Sequence, residues 1–265
     1  MMISSLLLTA ALGVGAQITA PPGLVNIDIR DNGIAVPARL TAGLTAFHVE
    51  NKGTEPHDVR LVELKDKHTL DDLSAWLKTG GPIPAWLHTT GGVGAIAPGL
   101  TEDYFVTLAP GAYVALCGHR GDDGVTHAEK GAFAPFTVVD GKSPLRPPAA
   151  DRIITLRDHG YQLTAPVEAG RSTWHVRNTG SEPHQMLIVK LADSGGEYPE
   201  RAWFNHGARG PRPGQAAGGV LEVPPGEEAW LRVELGPGYY LLVCAEQEED
   251  GQHFDLGMIY RFTIE

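Results

Sequence analysis

Short apolar runs in which every second residue is polar dominate this chain. ITLRD, WHVRN and YYLLVC alternate with period two, which is typical of β-strands with one buried face. Glycine and proline separate the runs, and the Pro-Gly pairs at 110–111 and 237–238 precede the last strand of each half. The pattern predicts an all-β protein.

One segment departs from this alternation and predicts a short helix over 69–79, TLDDLSAWLKT. Its apolar residues fall on one helical face: Leu70, Leu73, Trp76 and Leu77. Thr69 is a candidate N-cap. A counterpart near 198–206 has Pro199 where a first helical turn tolerates proline. We expect each half to carry one short helix insertion, and the helix over 69–79 to pack across one end of a sandwich in a structural role.

The chain aligns with itself at a shift of 127 residues. Three pairs of segments carry the match: IDIRDNGIAVPARLTAG (27–43) with ITLRDHGYQLTAPVEAG (154–170), FHVENKGTEPHDV (47–59) with WHVRNTGSEPHQM (174–186), and LAPGAYVALC (108–117) with LGPGYYLLVC (235–244). Self-similarity at one register indicates a duplicated domain. We therefore expect two tandem domains, 24–139 and 152–265, joined by an extended proline-containing linker at 140–151.

The N-terminus is an apolar run that ends in small residues, with Val14 and Ala16 at the −3 and −1 positions of a signal-peptidase site. We interpret residues 1–16 as a signal peptide, which predicts export to the periplasm or the extracellular medium with no membrane insertion after cleavage. An uncleaved anchor is the alternative, although the run is short for spanning a bilayer.

The formal net charge of −11 disfavours nucleic acid and anionic membranes as partners, because both would be repelled. A basic protein partner is compatible with it. Two acidic runs, Asp122-Asp123 and residues 248–250, lie in loops beside the candidate sites described next, where they can steer a basic redox partner.

Four side chains of the second half predict a metal site: His184, Cys244, His253 and Met258. A sandwich gathers distant loops at one end, so ligands need not be adjacent in sequence. Thiolate and thioether are soft ligands that favour Cu(I), whereas imidazole serves both Cu(I) and Cu(II). Zinc has no use for a thioether. The set therefore indicates copper, held in both oxidation states with little rearrangement.

Three motifs resemble the cupredoxin family: N-x-G-x-x-P-H at 178–184, P-G-x-Y-x-x-x-C at 237–244 and H-x-x-x-G-M at 253–258. The resemblance covers both halves and implies two Greek-key β-sandwiches with a type 1 (blue) copper site in the second. By that match His184, Cys244 and His253 are the strong ligands and Met258 is the weak axial one. The Cys-to-His loop is longer here than in plastocyanin-like members.

The first half keeps His57, Cys117 and His127, but Ala132 stands where Met258 stands in the second half. Two interpretations compete: a three-ligand copper site, or a degenerate structural module. His119 is a candidate substitute ligand, with a solvated loop histidine as the simpler interpretation.

The only two cysteines of an exported protein also suggest a disulfide. Cys117 and Cys244, however, occupy equivalent positions after equivalent strands, so a bridge would require the two site ends to meet.

His48 and His175 alternate with inward-facing residues and are expected to face outward, without forming a further metal site.

Three functions fit these observations. A non-enzymatic electron carrier with an unidentified redox partner protein is the leading hypothesis, and a periplasmic copper carrier or storage protein is the alternative. A multicopper oxidase or a copper nitrite reductase fits less well, because the sequence has no H-x-H motif and Cys244 is flanked by Val243 and Ala245 rather than by histidines.

Overall fold

The computed structural model describes residues 23–79, 83–195, 197–207, 212–248 and 251–265. The proposed signal peptide, 1–16, lies outside the described residues. Within them strands are the dominant secondary structure, and there are two short helices. The all-β prediction is confirmed.

The strands and the helix of the first half follow the alternating pattern of the sequence. They are β1 (Val25–Arg30), β2 (Gly33–Ala35), β3 (Arg39–Thr41), β4 (Gly43–Asn51), β5 (His57–Leu64), α1 (Leu70–Thr79), β6 (Leu87–Ile96), β7 (Thr101–Leu108), β8 (Gly111–Leu116) and β9 (Phe133–Val139).

The second half has its elements in a corresponding order. They are β10 (Arg152–Arg157), β11 (Gly160–Leu163), β12 (Gly170–Asn178), β13 (His184–Leu191), α2 (Glu197–Asn205), β14 (Gln215–Val223), β15 (Glu228–Leu235), β16 (Gly238–Val243), β17 (Gln247–Glu248), β18 (Gly251–Gln252) and β19 (Ile259–Ile264). Strands β4 and β12 begin 127 residues apart, as do β5 and β13.

Two large sheets face each other and enclose the core. One has the order β11-β10-β12-β15-β7-β4-β1-β2, and the other β19-β16-β13-β14-β6-β5-β8-β9-β3. Inward-facing side chains of both sheets, among them Phe47, Leu61, Trp174 and Ile188, form one buried cluster that extends through both halves. Burial of these apolar surfaces is the main stabilising term of such a fold.

The two halves join edge to edge in both sheets. Strand β7 pairs antiparallel with β15, where Phe105 lies opposite Trp230. Strand β6 pairs antiparallel with β14, where Val93 lies opposite Val220. Each half thus covers the edge strands of the other, which would otherwise expose unpaired N–H and C=O groups. The sequence predicted a linker between the halves but not this seam.

The helix prediction is confirmed at its N-terminus. Thr69 Oγ1 accepts a hydrogen bond from the Asp72 amide (3.4 Å) while the Asp72 carboxylate accepts one from the Thr69 amide (2.7 Å), a reciprocal cap. Leu73 is buried, and the other apolar residues of that face pack around it, as the pattern predicted. Helix α2 likewise buries Trp203 and Phe204 against the outer face of the second half.

Residues 140–151 form no strand or helix, and the Ser143 amide donates to the Ala42 carbonyl (3.0 Å), which holds the start of this connection against β4. The division at this segment stays a prediction. In the described part of the chain, neither helix has the length and apolar character required to cross a bilayer.

Candidate metal centres

An asparagine shapes the loop that leads to the first histidine of each half. Asn51 Nδ2 donates to the Glu55 carbonyl (2.8 Å) while Asn51 Oδ1 accepts from the Gly53 amide (2.8 Å). Asn178 makes the same two contacts, with the Glu182 carbonyl (2.6 Å) and the Gly180 amide (2.8 Å). Satisfying these backbone groups from within the loop explains the N-x-G-x-E-P-H motif.

His57 and His184 begin the strands β5 and β13, and both point into the interior. The pairing with the neighbouring strand shifts register between His57 and Val59, and again between His184 and Met186. Such bulges re-aim side chains next to functional sites. Both histidines are fully buried.

The cysteine and the second histidine of each half are held by matching loops. The His127 carbonyl accepts from the Ala132 amide (2.8 Å), and the His253 carbonyl from the Met258 amide (2.8 Å). The Cys117 carbonyl accepts from the Ala128 amide (2.9 Å), and the Cys244 carbonyl from the Phe254 amide (3.0 Å). Cys117 and His127 are ten positions apart, whereas Cys244 and His253 are nine apart, and this extra residue in the first loop leaves the framework unchanged.

Three donor atoms converge in the first half. The Nδ1 atoms of His57 and His127 lie 2.7 Å apart, and the Cys117 Sγ lies 3.5 Å from each of them. All three side chains are buried. The sequence-predicted residues of this half are therefore brought together at one point.

The second half repeats the arrangement. His184 Nδ1 and His253 Nδ1 lie 3.1 Å apart, and Cys244 Sγ lies 3.5 Å from His253 Nδ1. Met258 is fully buried in the same core cluster as Cys244. The structure thus brings the donor atoms of His184, Cys244 and His253 together, and the backbone of Met258 is hydrogen-bonded to that of Cys244 (3.2 Å) and of His253 (2.8 Å).

The outer nitrogens of the four histidines face carboxylates. His57 Nε2 lies 3.0 Å from an Asp31 oxygen, and His184 Nε2 lies 2.9 Å from an Asp158 oxygen. His127 Nε2 lies 2.9 Å from a Glu55 oxygen. His253 Nε2 has two acidic neighbours, Glu182 at 3.3 Å and Glu248 at 3.5 Å.

Burial favours the neutral form of His57, His184 and both cysteines. Desolvation lowers the pKa of His57 and of His184. Burial also raises the pKa of the Cys117 thiol well above its usual range and that of Cys244 to about 12. A metal ion that binds here therefore has to displace a thiol proton.

The donor set fits a soft metal ion. A carboxylate oxygen only accepts hydrogen bonds, so it favours the tautomer with the proton on Nε2, in which Nδ1 of a neutral ring presents a lone pair to the centre of the site. Two such lone pairs and a thiolate around one point are the ligands that copper prefers, and zinc is compatible with the same three atoms.

The residue after the first histidine differs between the halves. In the second, the Gln185 amide donates to Cys244 Sγ (3.2 Å). In the first, the equivalent residue is Asp58, whose carboxylate accepts from the Gly118 amide (2.7 Å) beside Cys117. Burial raises the pKa of Asp58. The side chain at this position is thus a buried acid in the first site and a neutral glutamine, bonded to Glu222 and Glu246, in the second.

His119 is near the first site but outside its donor cluster, since its ring centroid lies 5.6 Å from that of His127. Burial lowers its pKa to about 3.

His48 and His175 lie on the outer face of their sheet, as expected. His48 Nδ1 contacts Asp103 (2.7 Å), and His175 Nε2 contacts Glu228 (2.7 Å). Among the described residues neither belongs to a metal-binding group.

The disulfide alternative is wrong, because both cysteines are free and buried in separate sites.

Sequence reasoning also missed the carboxylates around the histidines. A signal was present, because Asp31 and Asp158, like Glu55 and Glu182, are separated by the 127-residue repeat.

No family model and no curated protein matches the sequence. Three solved structures are similar to it. Reduced auracyanin from Roseiflexus castenholzii is 19% identical over 44% of this chain and 97% of its own, with a TM-score of 0.32. Copper nitrite reductase from Nitrosomonas europaea is 14% identical over 91% of this chain and 93% of its own, with a TM-score of 0.27. A blue copper oxidase from the same organism is 16% identical over 91% of this chain and 84% of its own, with a TM-score of 0.26.

Proposed function

We propose that this protein is an exported electron carrier of the cupredoxin type, with a type 1 copper site formed by His184, Cys244, His253 and Met258. The observation that carries the proposal is the convergence of two Nδ1 atoms and one Sγ on one point of the second half, where the buried Met258 is hydrogen-bonded through its backbone to Cys244 and His253. Copper bound there would supply a one-electron couple, and this donor set would hold either oxidation state with little rearrangement.

Burial of the site favours electron transfer over chemistry on a substrate. His184 and Cys244 are fully buried and His253 is 2% exposed. A substrate needs an open coordination position that it can reach, whereas an electron crosses a closed protein wall. The same closure favours a resident metal over copper carriage, which requires exchange. We therefore place the oxidase and reductase alternatives behind the carrier hypothesis.

The first site, His57, Cys117 and His127, is proposed as a second and unequal metal site. Its three donors converge as tightly as those of the second half. It lacks the thioether, and the buried Asp58 lies beside its thiol. We expect it to bind Cu(I) or zinc more readily than Cu(II).

The redox partner is proposed to be a basic protein that docks over the acidic surface of the second site. Asp158 and Glu182 are each 43% exposed, and they lie directly outside His184 and His253. The net charge of −11 adds a long-range attraction for a basic partner. A periplasmic or extracellular location, set by residues 1–16, is part of the same proposal.

The test is the optical spectrum and voltammetry of the copper-loaded full chain. An isolated second half is unsuitable, because cutting the chain would expose the edges of β14 and β15 that the seam covers. Cys117→Ser should keep an intense visible charge-transfer band and a reversible one-electron couple. Cys244→Ser should lose both.

The two variants are matched controls for each other, since each removes one thiol from an equivalent position. A copper-loaded Cys117→Ser protein that is colourless, with Cys244 still reactive towards thiol reagents, would sink the type 1 assignment. A blue protein that surrenders its copper rapidly to a chelator in both oxidation states would favour the copper-carriage alternative.

A further inference from the structure

Each of the four proposed ligand histidines has a carboxylate on its outer nitrogen, in both halves of the chain. The two contacts of the first half, Asp31 with His57 (3.0 Å) and Glu55 with His127 (2.9 Å), recur at the positions of Asp158 and Glu182 in the second. Half-exposed acids on a sandwich surface need not face buried histidines, so four such pairs require a common explanation.

The aspartates are themselves fixed by the loop that carries the histidine. Asp31 accepts hydrogen bonds from the amide (2.7 Å) and the hydroxyl (2.9 Å) of Thr54. Asp158 accepts the same pair from Ser181, at 2.9 Å each. A carboxylate oriented by two other donors presents a defined oxygen to the imidazole, which is how outer partners set the orientation of metal-binding histidines.

The glycine of each N-x-G motif makes room for this contact. A Cβ on Gly180 would lie 2.2 Å from Asp158 Oδ1 and 2.7 Å from His184 Nε2. In the first half, a Cβ on Gly53 would lie 2.3 Å from Asp31 Oδ1 and 2.6 Å from His57 Nε2. Neither glycine has a positive φ. The space between aspartate and histidine, rather than backbone strain, is what requires glycine at these positions.

We propose that Asp158 and Glu182, and their counterparts Asp31 and Glu55, are positioning residues that hold the proton on Nε2, keep Nδ1 free for the metal and stabilise Cu(II) over Cu(I). This inference deepens the proposed function and rests on it for the effect on copper. A negative charge hydrogen-bonded to a ligand imidazole makes that ring a stronger donor, and the more highly charged ion gains more from it.

The effect on copper is measured in the Cys117→Ser protein, which isolates the second site. Asp158→Asn keeps a hydrogen-bond acceptor but removes the charge, and Glu182→Gln does the same at His253. The control is Glu228→Gln, because Glu228 makes the same contact with His175 (2.7 Å), a histidine outside the donor clusters. We expect each site variant to lose about 10- to 100-fold in Cu(II) affinity, less in Cu(I) affinity, and so to have a higher reduction potential than the control.

A second readout needs no copper. In the metal-free wild type, nitrogen-15 NMR should show a directly bonded, exchange-protected proton on His184 Nε2, and Asp158→Asn should weaken its protection. A His184 ring without a proton on Nε2 overturns the inference, as does a reduction potential in both site variants equal to that of Glu228→Gln. If the wild type binds no copper, the proposed function fails, while the Nε2 proton still decides the positioning role. Glu182→Gln provides the same decision at His253 should Asp158→Asn fail to fold.

Discussion

Ala132 and Met258 occupy the same place in their two halves, because the carbonyl of each accepts a hydrogen bond from the amide of the site cysteine. The Cys117 amide lies 3.0 Å from the Ala132 oxygen, and the Cys244 amide lies 3.2 Å from the Met258 oxygen. The loss of the thioether in the first half is thus a change of side chain on an unchanged backbone. The proposed difference between the two sites follows from this substitution and from Asp58.

Met258→Leu should keep copper and colour in the second site but raise its reduction potential. The thioether is the weak axial donor of the proposed set, and its removal costs Cu(II) more than Cu(I). Leucine has a similar volume, so the buried position should lose less than about 1.5 kcal/mol of stability. Voltammetry of the Cys117→Ser and Cys117→Ser/Met258→Leu proteins checks this. A variant that no longer binds copper would contradict the axial role.

The Cys244→Ser full-length protein isolates the first site. We expect it to bind Cu(I) and zinc, to hold Cu(II) less well and to have a spectrum different from that of the second site. Three ligands without a thioether suit zinc with an added water, and Asp58 lies beside the thiol. Metal titrations followed by absorption and mass spectrometry check this. A spectrum and a reduction potential equal to those of the second site would refute the proposed difference between the two sites. If the protein binds none of Cu(I), Cu(II) and zinc, the first half is better interpreted as a degenerate structural module.

Asp58→Gln should bring the first site closer to the second, where Gln185 occupies this position. The variant removes a buried acid whose contact with the Cys117 loop is a hydrogen bond from the Gly118 amide (2.7 Å) that a glutamine oxygen can also accept. Without the neighbouring charge, the Cys117 thiol should lose its proton at lower pH. The rate of thiol labelling against pH in metal-free protein measures this. An unchanged profile would show that Asp58 does not act on the thiol.

Glu102→Gln should stabilise the fold at neutral pH. Glu102 lies in the seam, where one carboxylate oxygen accepts from the Gly219 amide (2.8 Å) and the other has no hydrogen-bond partner among the described residues. Burial raises its pKa well above the usual range, so the unfolded chain releases this proton at about pH 4.3 while the folded chain retains it. The stability of the wild type therefore falls as pH rises above that value, by up to about 1.4 kcal/mol per pH unit.

Glutamine keeps an acceptor for the Gly219 amide but has no proton to lose. The stability advantage of Glu102→Gln over the wild type should therefore grow as pH rises from about 4.3 towards the raised pKa of Glu102. Denaturant unfolding at several pH values measures it, with Glu234→Gln, an exposed acid of the same sheet, as the control. Parallel pH curves for the wild type and Glu102→Gln would disprove the assignment.

Gly219→Ala should be much more destabilising than Gly170→Ala. Both glycines have a similar positive φ, 108° and 105°. A Cβ on Gly219 would lie 2.0 Å from the Met186 carbonyl oxygen, whereas one on Gly170 meets nothing within 4 Å. Backbone strain alone lowers the free energy of unfolding by about 1 to 3 kcal/mol. The additional clash should raise the loss in Gly219→Ala above about 4 kcal/mol. Equal losses in chemical denaturation would show that the strand pair relaxes freely.

The amino-acid sequence by itself determined the strands, the short helix over 69–79 and the residues that meet at each candidate site. Alternation of apolar and polar residues with period two predicts which side chains of a strand face inward. The 127-residue repeat places each cysteine at the end of an equivalent strand. The softness of the donors His184, Cys244, His253 and Met258 then indicates copper. These properties are local, or depend only on the type of residue.

The tertiary structure alone decided how the halves join and what surrounds the donors. Alternation identifies the buried face of a strand but not the strand that pairs with its edge, so the pairing of β7 with β15 and of β6 with β14 could not be read from the pattern. The contact of Asp158 with His184 joins a turn to the first residue of β13, 26 residues further along the chain. Whether a carboxylate reaches an imidazole depends on distances of an ångström or less, which are set only when both sheets are packed.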